Sequence, residues 1–217
     1  MTAWLPYLRH NNRRSPLLEP ILMYTPAAFL METDQALALV ETHPFATLVS
    51  LGPGGLLSTP LPLLLDRQGE RLRLIGHIAR ANPHWRDFDP AVPSLAIFQG
   101  GDAYVTPAWY GAKRETGKVV PTWNYKAVHI HGPLRVVDEP AALLDIVTRL
   151  TNRHEADRAE PWAVSDAPAD YISAMLKGIV GLELWVERVE GKAKLSQNRP
   201  LEDQAAVRAG LAGVLAM

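Results

Sequence analysis

The spacing of hydrophobic and polar positions changes twice along the chain, and each change predicts a different element. Behind Thr33 as N-cap and Asp34 in the first turn, Ala36, Leu37 and Val40 recur at helical spacing until His43-Pro44 stops them. From Phe45 the period drops to two. Alternation predicts strands at 45–51, 56–65 and 71–78, with turns at Pro53-Gly54-Gly55 and at 66–69, an antiparallel meander. Further strands are expected at 94–99, 104–106, 123–137 and 179–190, the last two long enough to bend around a barrel. Pro60 and Pro62 lie two apart, so the same edge of their strand lacks two N–H donors. That edge should be free, bulged or the wall of a ligand site.

Helical spacing returns after Asp138-Glu139-Pro140, a start signal followed by the stripe Leu143, Val147 and Leu150. A second helix is expected from Pro168 through Ile172 and Met175 to Gly178, and a third in the Ala-rich stretch after Pro200, with Leu211 and Leu215. Strands dominate the middle of the chain, which predicts a mainly β fold, a β-barrel with peripheral helices. At 217 residues with 47% hydrophobic and 21% charged positions, the chain can bury one domain's core. The segment 1–22, with Arg9, Arg13, Arg14 and scattered prolines, follows neither period and is expected to be a poorly ordered extension. The domain proper is 23–217.

Composition removes several chemistries. The absence of cysteine excludes disulfide scaffolds, thiolate metal sites and thiol nucleophiles. A net charge of -1 gives no global field for nucleic acid or anionic membranes, and no apolar run approaches the roughly 20 residues that span a bilayer. A cytoplasmic location is expected. Neither a P-loop, a nucleophile elbow nor a dinucleotide fingerprint occurs.

Three segments remain as places for chemistry. In 76–85, Gly76, His77 and Arg80 lead from a strand into a helix start, with Asn82 as N-cap and Pro83 at the first helical position. Free N–H groups there, with Arg80 beside them, suit a phosphate or carboxylate; a capped surface helix that binds nothing is the alternative. In 121–132, Trp123, Tyr125, Ala127, His129 and His131 share one face of a strand. Such a stripe can stack on a planar ligand, or can equally be a core or dimer surface. His129 and His131 lack a third ligand at any informative spacing, so no metal is assigned. In 192–199, Lys194, Ser196, Gln197, Asn198 and Arg199 offer hydrogen-bonding groups for an anion or for the polar edge of a ring, or form a solvated loop.

Read in order, Met23-Tyr24-Thr25-Pro26-Ala27-Ala28-Phe29, Gly76-His77-Ile78-Ala79 with Asn82-Pro83 and Trp85, Ile97-Phe98-Gln99-Gly100, Ala103-Tyr104-Val105, Trp109-Tyr110, Val120-Pro121-Thr122-Trp123-Asn124-Tyr125 with Val128-His129, Lys177-Gly178-Ile179-Val180-Gly181, and Lys194-Leu195-Ser196-Gln197-Asn198-Arg199 resemble one family. It is the PaiB-like FMN-binding negative transcriptional regulators, within the flavin-binding split-barrel superfamily. The resemblance implies a six-stranded antiparallel split β-barrel of FMN-binding type and a homodimer with FMN at the subunit interface. It places the phosphate along 76–82 (Gly76, His77, Arg80, Asn82) and the ring along Ser58, Thr59, Pro60 and Leu61. Asn124, Lys194, Ser196, Gln197 and Arg199 are further contacts, offered by the partner subunit. Transcriptional repression implies DNA as a partner, yet the chain shows no helix-turn-helix and only the short cluster Lys113, Arg114 and Lys118. An FMN-dependent oxidoreductase, a flavin-binding protein without turnover, and haem handling on the same barrel are the alternatives, and no catalytic residue is assigned.

Overall fold

The computed structural model describes residues 23–212; the extension 1–22 and Leu215 of the expected last helix lie outside them. In chain order the elements are β1 (Leu30–Met31), α1 (Thr33–Thr42), β2 (Phe45–Gly52), β3 (Gly55–Pro62), β4 (Leu64–Gln68), β5 (Arg71–Ala79), α2 (His84–Asp87), β6 (Ser94–Val105), α3 (Ala112–Glu115), β7 (Thr122–Gly132), β8 (Leu134–Val137), α4 (Pro140–Glu155), α5 (Ala169–Leu176), β9 (Ile179–Trp185), β10 (Arg188–Lys194) and α6 (Leu201–Ala212). The strands form two antiparallel sheets, one of six in the order β1-β10-β7-β6-β2-β3 and one of four in the order β4-β5-β9-β8. This is the expected mainly β class with helices outside. The count of six describes the larger sheet only, and no single ladder closes the barrel.

The two sheets exchange strands at corners that alternation along the sequence runs straight through. Each of three expected long strands is therefore two. The stretch 56–65 divides before Leu64, 123–137 at Pro133, and 179–190 after Trp185. Pro133 has no N–H to give a ladder, and its carbonyl instead accepts from Trp185 N–H at 3.1 Å, while Glu187 N–H donates to His131 O at 2.9 Å. The corners pass so closely that a Cβ on Gly132 would lie 1.7 Å from Trp185 O. Gly76 meets the β3–β4 corner the same way, where a Cβ would come within 2.7 Å of Pro62 O. Packing between sheets thus accounts for both glycines.

Elsewhere the reading joins what it had separated. The expected strands 94–99 and 104–106 are one strand, β6, with a bulge between Gln99 and Asp102 that the Gly100-Gly101 pair accommodates. The expected turn at 66–69 is mostly strand, because Asp66 is buried in an ion-pair network rather than exposed. Burial alone would raise its carboxyl pKa, but hydrogen bonds from Arg149, Arg73 (2.7 Å) and Gln68 hold it far below the usual carboxylate range. Helix α1 is capped one residue early, by Glu32, whose N–H donates to Gln35 Oε1 at 3.3 Å. Helix α4 starts as expected at Pro140, with the Glu139 carboxylate accepting from Ala141 and Ala142 N–H.

One core lies between the sheets and under α1. Leu48, Phe98, Val128 and Ile130 of the larger sheet meet Leu74, Leu182 and Leu184 of the smaller, with Leu39 and Val40 of α1 against them. Each such side chain contributes about 1.5–3 kcal/mol by leaving water. Helix α4 covers the other face of the smaller sheet through Ile146 and Leu150 on Ile75.

Candidate functional site

Strand β3 pairs with β2 alone, so the edge that Pro60 and Pro62 share is a sheet edge. Alternation puts Ser58 and Pro60 outside and exposed, and Thr59 and Leu61 inside and buried. Thr59 faces a closed chain of hydrogen bonds. Its hydroxyl lies 2.8 Å from His84 Nδ1 and accepts from Asn82 Nδ2 at 3.2 Å; His84 Nε2 lies 2.9 Å from Ser50 Oγ, which lies 2.7 Å from Ser94 Oγ. Burial lowers the His84 pKa, so the neutral imidazole is the form that fits.

The segment after β5 differs from the expected helix start. Helix α2 is a single turn beginning at His84 with Pro83 as its N-cap, and the Asn82 side chain accepts from His84 N–H at 3.0 Å. Asn82 is thus tied to Thr59 and to the turn. Gly76 approaches the same place, its missing Cβ 3.5 Å from Leu61. His77 is half-buried, its Nδ1 unpartnered and its pKa lowered by burial. Arg80 points elsewhere. It donates to Lys177 O at 2.8 Å and Ile179 O at 3.0 Å and pairs with Asp138. The structure therefore brings Thr59, Leu61, Gly76 and Asn82 together on the inner side of β3, leaves Ser58 and Pro60 on its outer side, and holds the Arg80 guanidinium against the starts of β9 and α4.

A second group forms where β10 ends beside the start of β7. Asn124 is buried and accepts from Ser196 Oγ at 3.0 Å; Lys194 Nζ donates to Thr122 Oγ1. Gln197 accepts from Leu195 N–H at 2.6 Å and donates to Ala193 O. The Arg199 guanidinium lies 4.6 Å from the centre of the Tyr110 ring. Ser196 has φ 66, and among the described residues it is the one non-glycine in the left-handed region. Such a conformation costs of order 1 kcal/mol and is held here by a buried side-chain bond. β7 and β3 are separated by β6 and β2. At the usual strand spacing, the two groups are about 14 Å apart sideways, and register also sets them apart along the strands, since Leu61 stands in the row of Val128 and not of Asn124.

The aromatic stripe runs along the outer face of β7 as the sequence indicates, with Trp123, Tyr125, Ala127, His129 and His131 alternating against buried Val128 and Ile130. At the β6 bulge, Trp123, Tyr125, Gln99 and Lys126 help to line a hollow of about 410 Å³. Register adds a residue that sequence reasoning missed. Glu190 of β10 sits opposite His129, its Oε2 3.9 Å from His129 Nδ1 and 3.5 Å from His131 Nε2. Nothing local to residue 190 announces this, because strand pairing sets the contact.

Cationic Lys194 and Arg199, the amides of Asn124 and Gln197, the hydroxyls of Ser58 and Ser196, and an aromatic hollow of ordinary ligand-site size suit a molecule with an anionic tail and a flat heteroaromatic head. FMN has that form, and the residues present fit it.

Comparison with known proteins agrees. Residues 23–188 match the family described as "Putative FMN-binding domain". The chain is 33% identical over 178 residues to the Protease synthase and sporulation protein PAI 2 of Bacillus subtilis, covering 82% of this chain and 83% of that one. A conserved hypothetical protein of Mycobacterium tuberculosis shares the fold at TM-score 0.55 and 16% identity, over 82% of this chain and 94% of that one. The FAD and heme binding protein of Mycobacterium smegmatis does so at TM-score 0.54 and 18% identity, over 81% and 77%. The last two likenesses concern fold alone. Together with the match over 23–188, the identity to PAI 2 across four-fifths of both chains makes this protein a member of the PaiB-like FMN-binding family.

Proposed function

We propose that the protein acts as a homodimer that holds each FMN between two copies. One observation carries the reading: the two polar groups lie too far apart in one protomer to grip the same part of a ligand, and the sheet face between them is apolar and not covered by the described residues. Phe45 is 67% and Leu56 78% exposed on that face, beside half-buried Val49, Leu95 and Ile97. A two-fold association through it would set the β3 edge of one copy against the β7–β10 end of the other, so that neither copy has a complete site alone. Ser58, Thr59, Pro60 and Leu61, with Gly76, His77 and Asn82, then belong to one half of the site, from which Arg80 is turned away toward Asp138. Asn124, Lys194, Ser196, Gln197 and Arg199 belong to the second half. Lys194 and Arg199 supply positive charge for a phosphate, and the Ser58–Pro60 edge supplies a wall without competing N–H donors.

FMN supplies redox chemistry when bound. The output that the family resemblance implies is control of transcription, for which a net charge of -1 supplies no global attraction to DNA. A second reading, an FMN-dependent oxidoreductase, is favoured by the hollow beside Trp123 and Tyr125, which gives a small partner a place next to the aromatic stripe. Oxidation of reduced nicotinamide cofactors by flavin-loaded protein separates the two. Among the described residues, no helix is long and apolar enough to cross a membrane.

Mixed dimers test the shared site. Ser58→Phe fills the exposed edge, and Lys194→Ala removes a charge-assisted contact, costing about 1.5–3 kcal/mol of affinity if it reaches the ligand. Each variant alone should bind FMN poorly, whereas a refolded equal mixture should regain about a quarter of the sites, because each mixed dimer carries one intact pair of halves. Recovery of none in a mixture that forms mixed dimers would place the site within a single copy.

A further inference from the structure

The outer face of β7 and β10 carries a cluster outside the FMN contacts proposed above. His129 and His131 stand two apart on β7 with ring centres 6.3 Å apart, and Glu190 faces them from β10. One nitrogen from each imidazole and a carboxylate oxygen all lie within 4.8 Å of one another. All three side chains are half-buried in a sheet whose register fixes their backbones. The cluster is also unfinished. Among the described residues, His131 Nε2 is shielded from solvent without a hydrogen-bond partner, while Glu190 Oε1 and Arg188 Nε are held 3.0 Å apart in an ion pair. Buried polar atoms are normally partnered, and an unpartnered imidazole nitrogen beside a second imidazole and a carboxylate is a place for a ligand.

We infer that His129, His131 and Glu190 form a site for a divalent cation of the zinc or ferrous class. Two imidazoles and one carboxylate are the ligand set these borderline metals favour, with bonds of about 2.0–2.2 Å. Tetrahedral bonds of that length separate donor atoms by about 3.4 Å, and the His131–Glu190 distance of 3.5 Å already matches. The 3.9 Å from His129 to Glu190 is about 0.5 Å longer than that separation. Burial lowers the pKa of both histidines, and a neutral imidazole is the form that ligates. Three protein ligands on an outward sheet face leave a coordination position for water or for an anionic group. Arg188 opposes the cation and must turn from Glu190 when it binds, while Met23 N–H donates to Glu190 Oε2 at 3.1 Å and orients the carboxylate. Sequence spacing assigned no metal here because the candidate third ligand comes from the neighbouring strand β10.

The inference is independent of the flavin site. Full-length protein without an affinity tag is titrated with Zn²⁺ by calorimetry and with Co²⁺ by visible absorption, with and without FMN. One cation per protomer is expected, with affinity at least ~10-fold weaker in His131→Asn, His129→Asn and Glu190→Gln. The exposed His154→Asn should leave it unchanged. Thermal unfolding identifies the variants that fold. No Zn²⁺ uptake by the unaltered protein, or full affinity in any folded ligand variant, overturns the site. Failure of FMN to bind leaves the metal result untouched.

Discussion

The two faces of the six-stranded sheet are built from the same strands and finished to different degrees. Its inner face is closed: Leu48, Phe98, Val128 and Ile130 are fully buried, and its polar members, Thr59, His84, Ser50 and Ser94, satisfy one another in an unbroken chain. The outer face shows Phe45 and Leu56 to solvent and leaves His131 Nε2 without a hydrogen-bond partner among the described residues. Polar residues on the inner face therefore specify the fold, whereas His131 outside is left unsatisfied by the described residues. A histidine's place in sequence says little about which kind it is; the account of its hydrogen bonds does.

Neighbours on β6 test that contrast most strongly. Phe98→Ala empties a core position and should cost about 3–5 kcal/mol of stability. Ile97→Ala, one residue along and facing outward, should cost about 1 kcal/mol or less in the dissociated protomer. Denaturant unfolding of the two variants at low protein concentration gives the comparison, and similar losses would mean that the outer face packs within the protomer after all.

His84→Ala comes next, at about 2–3 kcal/mol, because it leaves Thr59 and Ser50 unpartnered in a dry interior. The same residue gives a pH signature. Burial holds its folded pKa below the ordinary value of 6.5, so the unfolded chain takes up its proton first as the solution is acidified. The stabilisation is fully present above about pH 6.5 and is lost as pH falls through the depressed folded value. Urea unfolding at a series of pH values should show a shallower acid-side loss for the variant, and an unchanged slope would remove His84 from the account.

How much of this was legible in the sequence follows from what sets each feature. Period-two alternation located nearly every strand, since burial on one face repeats every second residue whatever the topology. It missed the corners at Pro62-Leu63, Pro133 and Val186 because alternation continues while the strand changes sheets, and the signal that remained was the proline and glycine content. Asp66 looked like a turn residue because Arg149, its buried partner, is 83 positions away. In the candidate site, Ser196 and Asn124 were named separately, and folding joined them across 72 positions. The candidate flavin contacts rest on motif resemblance, and the prolines marked the β3 edge. Glu190 had no such signal, because its role exists only in the pairing of β10 with β7.

The smallest effect on stability belongs to Leu56, and it separates the two faces most finely. At 78% exposure at the β2–β3 hairpin it gains little from folding, so Leu56→Ser should change protomer stability by no more than about 0.5 kcal/mol. If this face joins two copies, the same substitution removes apolar area from the contact and should weaken dimerisation about 10-fold, corresponding to ~1.4 kcal/mol. Sedimentation over a range of concentrations reads the association, and unfolding of the dilute protein reads the protomer. Loss of dimer with unchanged protomer stability means that the outer face is completed by a second copy. Unchanged association in Leu56→Ser and in Ile97→Ala together would show that the copies, if they pair, do so elsewhere, and would take with it the argument that each FMN site is shared.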